Sequence, residues 1–257
     1  MKKTKAARWR RSYGRCTQAG GLLLTFVLVG LTAACSHHPA DKELRARATS
    51  SEAESRRSRE EEKMRALIAR LTAVEGLEHL LTRSVDSCQG PQKGSLFENN
   101  RSPYVLTCSM QADAYFGVRG EITEVLSRIR AAGIATWGPQ DGEGRDMPYA
   151  AGTVTYALDY YRARGKFQDG TLMPAPTLEA PGLRLDWDRP DLPLPMRVEE
   201  PAPCPETGSK VYWRCSIAPE DPMTVAAART RYDTVLTLSL GRWGSSADNY
   251  FTVPRRK

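Results

Sequence analysis

Hydrophobic residues recur at helical spacing in two parts of the chain. The first series consists of Met64, Leu67, Ile68, Leu71 and Val74, and the second of Ile122, Val125, Leu126 and Ile129. Residues three and four apart share one face of a helix, so each series predicts an amphipathic helix with a single apolar stripe. The first series lacks the sustained heptads of a coiled coil, and we expect it to pack on the chain's own sheet.

The ends of these helices have recognisable signals. Ser51 with Glu54 is predicted to form a capping box at the start of the first helix, and Gly76 is predicted to end it. Gly133 follows the second series and is expected just past the end of that helix.

Other segments have the alternation or the β-branched and aromatic content of strands. Residues 104–117 and 183–187 are rich in such residues, and residues 153–163 alternate through Val154, Tyr156, Leu158 and Tyr160. Further short strands are expected at 134–137, 211–217 and 234–240, and a short helix at 224–231. Most of the predicted elements are therefore strands.

The segment from Leu77 to Cys88 fits two patterns. Its strand pattern is Leu77, Leu81 and Val85, whereas its helical pattern is Leu77, Leu80, Leu81 and Ser84. We interpret it as a strand. Together the elements predict an α+β fold, in which an antiparallel sheet carries two or three packing helices.

The flanking segments suggest how the chain is divided. Residues 36–60 contain one large apolar residue, Leu44, among dense charges of both signs, so residues 35–63 are predicted to form a partly helical, charged tether. Residues 64–189 would form the main α+β domain. Nine of the 17 prolines lie between Pro174 and Pro205, which predicts an extended connector at 190–203 and a small separate unit at 204–257.

The charge of the chain is unevenly distributed. The formal net charge is +7, and residues 1–34 contain seven basic side chains and no acidic one. From Cys35 onward the chain has 37 − 7 = 30 basic and 30 acidic residues, so it is neutral. The basic excess therefore belongs to the first 34 residues, which argues against a nucleic acid partner.

Residues 1–34 have the layout of an export signal. A basic region ends at Arg15, and an apolar run of 15 residues extends from Gly20 to Ala34. This run is shorter than the roughly 20 residues that a membrane-spanning helix needs. Arg10 and Arg11 loosely resemble a twin-arginine signal, and the general secretory and twin-arginine routes both stay open.

The end of this segment, Leu31-Thr32-Ala33-Ala34-Cys35, resembles the lipobox of bacterial lipoproteins. Thr32 departs from the pattern, since the family most often has Leu there. The resemblance implies cleavage before Cys35, a diacylglycerol thioether on its sulfur and a fatty acid such as palmitate on its amino group. It also implies anchoring at the extracytoplasmic face of the cell membrane. The layout of the whole chain is similar to that of uncharacterised lipoproteins of high-GC Gram-positive bacteria, which implies no activity.

Four cysteines remain after the signal and the lipidated residue: Cys88, Cys108, Cys204 and Cys215. An even number in an exported chain predicts disulfides, and three connectivities are possible. We expect the local pairing of Cys88 with Cys108 and Cys204 with Cys215. Zinc binding is the alternative, but the chain has no C-x-x-C spacing.

Residues with catalytic or metal-binding chemistry are scarce. His79 is the one histidine outside the tether, and no nucleophile elbow, zinc-protease or Walker-type motif occurs. The Asp141, Glu143 and Asp146 loop departs from the calcium-loop spacing and is interpreted as a turn. Asp186 and Asp188 are predicted on one side of a strand and are the candidate carboxylates of an envelope hydrolase. We assign no catalytic residue, metal or cofactor.

Aromatic residues offer one binding hypothesis. Trp187, Tyr156 and Tyr160 are candidates for a ring platform on which a cell-wall glycan stacks. The expected function is a non-catalytic binding or scaffolding protein at the cell surface, with the membrane as one partner through its lipid. The alternatives are a glycan-binding module and a carboxylate-dependent hydrolase, and an envelope protein is the other candidate partner.

Overall fold

The computed structural model describes residues 40–91, 102–205, 211–241 and 249–255. The signal segment, Cys35 and the first tether residues, with His37 and His38, lie outside this range. The helices in the described residues are α1 (Asp41–Ala48), α2 (Ser51–Thr72), α3 (Ile122–Ala131), α4 (Val154–Arg162) and α5 (Val225–Ala228). The strands are β1 (Leu77–Gln89), β2 (Tyr104–Val118), β3 (Leu178–Ala180), β4 (Leu183–Trp187), β5 (Tyr212–Ala218), β6 (Thr234–Leu240) and β7 (Asn249–Pro254).

All seven strands belong to one antiparallel sheet with the order β3-β4-β6-β2-β1-β5. The seventh strand, β7, pairs with the same edge of β2 as β6 does, because β6 pairs with residues 112–118 and β7 with residues 104–109. The prediction of an α+β fold with an antiparallel sheet is confirmed. No helix among the described residues has the length and apolar character that crossing a membrane requires.

One face of the sheet, which we call the helical face, is covered by helices. It presents Met110, Ala112, Ala114, Phe116 and Val118 from alternate positions of β2. Against these residues pack Met64 and Leu71 of α2, three residues of α3 and two of α4, namely Val125, Leu126, Ile129, Val154 and Ala157. The helices predicted from the two apolar series therefore lie where their stripes require.

Several predicted elements are confirmed. Residues 77–88 form a strand, as preferred over the helix, and the strands predicted near 104, 183, 211 and 234 are present. The second amphipathic helix is α3, and the short helix expected at 224–231 covers only Val225–Ala228. Both disulfides have the local pairing, with Cys88 joined to Cys108 and Cys204 to Cys215.

The predicted strand at 153–163 is wrong, because this segment is α4. Val154, Tyr156, Ala157 and Tyr160 are buried, and the last three are spaced as one face of a helix. The hydroxyl of Thr153 accepts a hydrogen bond from the amide of Tyr156 and so caps the first turn. The strand expected at 134–137 is also wrong, since these residues form a bend with Ile134 and Trp137 buried.

The charged tether was predicted too long. From Asp41 onward the chain forms α1 and α2, and Leu44, Ala48, Ala53 and Arg57 are buried against the sheet. Few apolar residues suffice to pack α1 and the start of α2 on the sheet, because each of them lies on the side of its helix that faces the sheet. The helix α2 is capped by Ser50, whose hydroxyl accepts from the amide of Ala53, one residue before the predicted cap.

The predicted division after residue 189 is also not what the structure shows. The strands β5, β6 and β7 pair with β1, β2 and β4, so the residues after the proline-rich segment complete the same sheet. Val198, within the expected connector, is buried with Val225 and Val235. The proline-rich segment therefore packs on the sheet instead of separating two units.

Candidate functional site

The three aromatic residues predicted as a glycan platform lie in the core. Trp187 and Tyr160 are 0% exposed and Tyr156 is 1% exposed. The indole N–H of Trp187 donates to the hydroxyl of Tyr161 at 2.6 Å, and Tyr156 donates its hydroxyl to the carbonyl of Pro174. Burial raises the pKa of Tyr161 to about 12. No ring face of the three is open to a sugar, so the stacking platform expected at these residues is wrong.

The two candidate hydrolase carboxylates hold the fold. Asp188 is 6% exposed and accepts hydrogen bonds from the amides of Val198 and Val235 and from the guanidinium of Arg229. Asp186 forms an ion pair with Arg184 at 2.7 Å. Since both oxygens of Asp188 are engaged in the interior, the pair does not have the geometry of two catalytic groups across a cleft.

The remaining candidates also have structural contacts. The Nε2 of His79 lies 2.7 Å from the hydroxyl of Thr82, its ring packs edge-on against Phe116, and burial lowers its pKa. The carboxylate of Asp141 accepts the amides of Glu143 and Arg145, which closes the predicted turn. Within the described residues, no group of three or more His, Cys, Asp or Glu is placed to hold a metal ion.

The second face of the sheet, which we call the polar face, has a different composition. It receives the side chains of β2 that alternate with the apolar ones, namely Thr107, Ser109, Gln111 and Asp113. Among the described residues, the short helix α5 and the segment around Val198 cover one end of it, where they pack on Leu81, Tyr115 and Val235. Of the other residues on this face, Val85, Ser87 and Asp113 are buried, whereas Thr107, Ser109 and Gln111 are half-buried.

A row of charged and polar residues crosses this face through strand register. Glu179 pairs with Arg184, Arg184 with Ser239, Ser239 with Asp113, and Asp113 with Arg83. Residues directly opposite on neighbouring strands point to the same side of a sheet. The five side chains therefore form one line across β3, β4, β6, β2 and β1, which we call the charged row.

Several side chains of the charged row have hydrogen-bond or ion-pair partners within the protein. Arg184 contacts the carboxylates of Asp186 and Glu179, at 2.7 and 3.4 Å, and the hydroxyl of Ser239 donates to Asp113 at 2.8 Å. Arg83 is the exception, because its buried Nε has no hydrogen-bond partner among the described residues. A buried donor without a partner destabilises the folded state unless water or an ion meets it.

One end of the charged row opens into a groove. This groove has a volume of about 460 Å³ and is lined by Gly138, Glu179, Ala180, Pro181, Leu183 and Arg184. Its charged lining residues, Glu179 and Arg184, form the β3–β4 end of the row. The other lining residues are small or apolar. The arrangement suits the binding, rather than the chemical conversion, of a polar ligand or protein segment that contacts both Glu179 and Arg184.

The residues of the charged row were not singled out from the sequence. A signal for one strand existed, since Thr107, Ser109, Gln111 and Asp113 alternate with Cys108, Met110 and Ala112. That alternation predicts a strand with one polar face. It does not reveal that Arg83, Ser239 and Arg184 lie beside Asp113, because that depends on the order of distant strands.

Comparison of the chain with protein-family models, with curated proteins and with solved structures gives no match.

Proposed function

We propose that the chain is an extracytoplasmic lipoprotein, anchored through Cys35, that binds an envelope protein non-catalytically at its polar face. Two observations support the location. The segment Leu31 to Cys35 resembles a lipobox, and all four later cysteines form disulfides, as is usual for exported proteins.

The observation that carries the binding role is the charged row. Within the described residues, it lies on the face that helices cover at one end, and the Nε of Arg83 has no hydrogen-bond partner there. A carboxylate or carbonyl oxygen of a partner would contact the accessible part of the half-buried Arg83 side chain. Because the row contains charges of both signs, a protein surface with mixed charges complements it better than a polyanion does.

The anchor is tested by changing Cys35 to Ala in the producing cell. We expect the variant to leave the membrane fraction and to lose incorporation of labelled fatty acid, because two or three acyl chains make the stable anchor. Retention of the Cys35→Ala variant in membranes, without acyl label, would contradict the anchor.

The binding face is tested by photo-crosslinking in cells. A photoreactive residue at Gln111, on the polar face, should capture a defined protein, whereas one at Glu62, exposed on α2, should not. Arg83→Gln should lower the crosslinking yield about tenfold, as expected for loss of one charged hydrogen bond. Equal capture from both positions, or a yield unchanged by Arg83→Gln, would contradict the proposal.

A further inference from the structure

The first helix and the last strand lie at the same end of the sheet, which we call the anchor end. Leu44 of α1 is in one buried cluster with Leu106 near the start of β2 and Phe251 of β7. The amide of Arg255 donates to the carbonyl of Pro103, at the same end. The opposite end of the sheet, which we call the far end, contains the β2–α3 turn at Gly120 and the residues around Glu78.

The chain between the proposed lipid and the fold is short. Six residue steps separate Cys35 from Asp41, the first residue of α1, and they span at most about 20 Å when fully extended. The helix α2 alone has 22 residues and a length of about 33 Å. An anchor at Cys35 therefore keeps the anchor end close to the lipid headgroups; this step rests on the proposed function.

The two ends differ in how their basic residues are neutralised. At the far end Arg119 and Arg231 both pair with Glu78. At the anchor end Arg47 pairs with Glu43, whereas Lys42, Arg45 and Arg255 have no ion pair within the part of the chain that the structure describes. The Nε of Arg255 is buried without a hydrogen-bond partner among those residues.

Apolar side chains accompany these charges. Val105 and Val253 are half-buried beside the cluster around Leu44, and Tyr104 is half-buried at the start of β2. Basic residues around a partly exposed apolar rim are the combination that interacts with an anionic lipid surface.

We infer that the anchor end is a membrane-contact surface, in which Lys42, Arg45 and Arg255 bind anionic lipid headgroups. The lipid at Cys35 supplies the attachment, and these three residues set the orientation. The sheet then stands with its far end away from the bilayer, and the polar face is turned sideways where an envelope protein can reach it. Each basic residue favours this orientation roughly fivefold on an anionic surface.

The test uses the lipidated full chain in vesicles of phosphatidylcholine, with or without phosphatidylglycerol. A fluorescent residue replaces Ala46, exposed on α1, or Glu121, exposed at the far end, and lipids with nitroxide-labelled headgroups act as quenchers. We expect stronger quenching at Ala46 than at Glu121, and a larger difference when phosphatidylglycerol is present.

The matched variant combines Lys42→Glu, Arg45→Glu and Arg255→Glu. It should remain with the vesicles through its lipid but lose the difference in quenching between the two positions. Equal quenching in the unmodified chain, or a difference that the triple variant keeps, overturns the orientation. Failure of the unmodified chain to stay with the vesicles would instead contradict the lipid anchor.

Discussion

The two faces of the sheet are covered in different ways. The helical face is buried under α1 to α4, with Phe116, Leu126 and Ile129 fully enclosed. Within the part of the chain that the structure describes, α5 and the segment around Val198 cover one end of the polar face. Each cover is joined to the sheet by an arginine that pairs with a buried carboxylate: Arg57 with Asp86 on the helical face and the half-buried Arg229 with Asp188 on the polar face.

The pair on the helical face connects mainly side chains, although Arg57 also donates to the carbonyl of Ala48 at 2.9 Å. Arg57 contacts Asp86 at 2.6 Å and lies 4.1 Å over the ring of Tyr212, and Tyr250 donates its hydroxyl to Asp86 at 2.7 Å. Burial lowers the pKa of Arg57, but the charge of Asp86 together with Tyr250 and Tyr212 outweighs it, so the pKa of Arg57 is raised overall. Burial and the hydrogen bond to Asp86 raise the pKa of Tyr250.

The pair on the polar face also organises the backbone. Asp188 binds Arg229 at 2.8 Å and accepts the amides of Val198 and Val235 at 2.6 and 3.3 Å. The hydrogen bond that Arg229 donates to Asp188 raises the pKa of Arg229. On the helical face, where apolar contact is extensive, the ion pair of Arg57 and Asp86 determines the position of α2. On the polar face, where apolar contact is sparse, the carboxylate of Asp188 holds together the segments that contain Val198, Arg229 and Val235.

Removing the carboxylate of the polar face is expected to have the largest effect. Asp188→Ala leaves Arg229 without its partner and two backbone amides without an acceptor. We expect it to lower the free energy of unfolding by about 4 kcal/mol, measured by urea denaturation. Asp191→Ala, at an exposed position nearby, is the control. Equal stability of the two variants would show that the polar-face cover does not depend on Asp188.

The helical face should tolerate the loss of its whole ion pair better than the loss of one member. Arg57→Met leaves the charge of Asp86 buried and is expected to cost about 3 kcal/mol in urea denaturation. The double variant Arg57→Met, Asp86→Leu should recover much of that loss, because apolar packing replaces the pair. Arg59→Met, on the exposed side of α2, is the control. A double variant weaker than Arg57→Met alone would contradict this view.

The two disulfides should differ in their access to reductant. The Cys88–Cys108 bond lies under the helices and both residues are 0% exposed, whereas Cys204 and Cys215 are half-buried. Under native conditions the Cys204–Cys215 bond should open first, as seen by thiol alkylation and peptide mapping. Its opening should cost about 2.5 kcal/mol of stability. Simultaneous alkylation of all four cysteines would disprove the difference.

The smallest expected effect concerns pH. Burial lowers the pKa of His79 below its ordinary value of 6.5, so below that pH the unfolded chain binds more protons than the folded chain. The contribution of His79 to stability is therefore present above pH 6.5 and is lost as the pH falls through its lowered pKa. His79→Gln should make the stability between neutral and mildly acidic pH less dependent on pH. If His79→Gln leaves the slope of unfolding free energy against pH unchanged, the pH dependence comes from other groups.

The sequence predicted the elements whose pattern is local. The strands β1, β2, β4, β5 and β6, the helix α3 and the disulfide pairing follow from spacing within a few residues. The helix α4 was missed because Val154, Leu158 and the tyrosines have strand-like composition, and the capping role of Thr153 was overlooked. The length of the tether was overestimated because the burial of Arg57 depends on Asp86, which is distant in the chain.

The charged row could not be predicted, for a topological reason. Arg83 and Asp113 belong to consecutive strands, but Ser239 reaches them only because β6 inserts between β4 and β2. Hydrophobic alternation predicts which residues share a face of one strand. It does not determine which strands are neighbours in the sheet, and the charged row exists only because β3, β4, β6, β2 and β1 are neighbours in that order.

The central position of β6 also dictates when folding can finish. The strands β3 and β4 join the remaining strands of the sheet through β6 alone. Since β6 is made of Thr234–Leu240, the two parts of the sheet stay separate until this late segment of the chain is in place. A chain that stops short of Thr234 would have two incomplete sheets with unpaired edges, which other chains can pair with and which aggregate. The topology thus makes the arrival of β6 the step that closes the sheet.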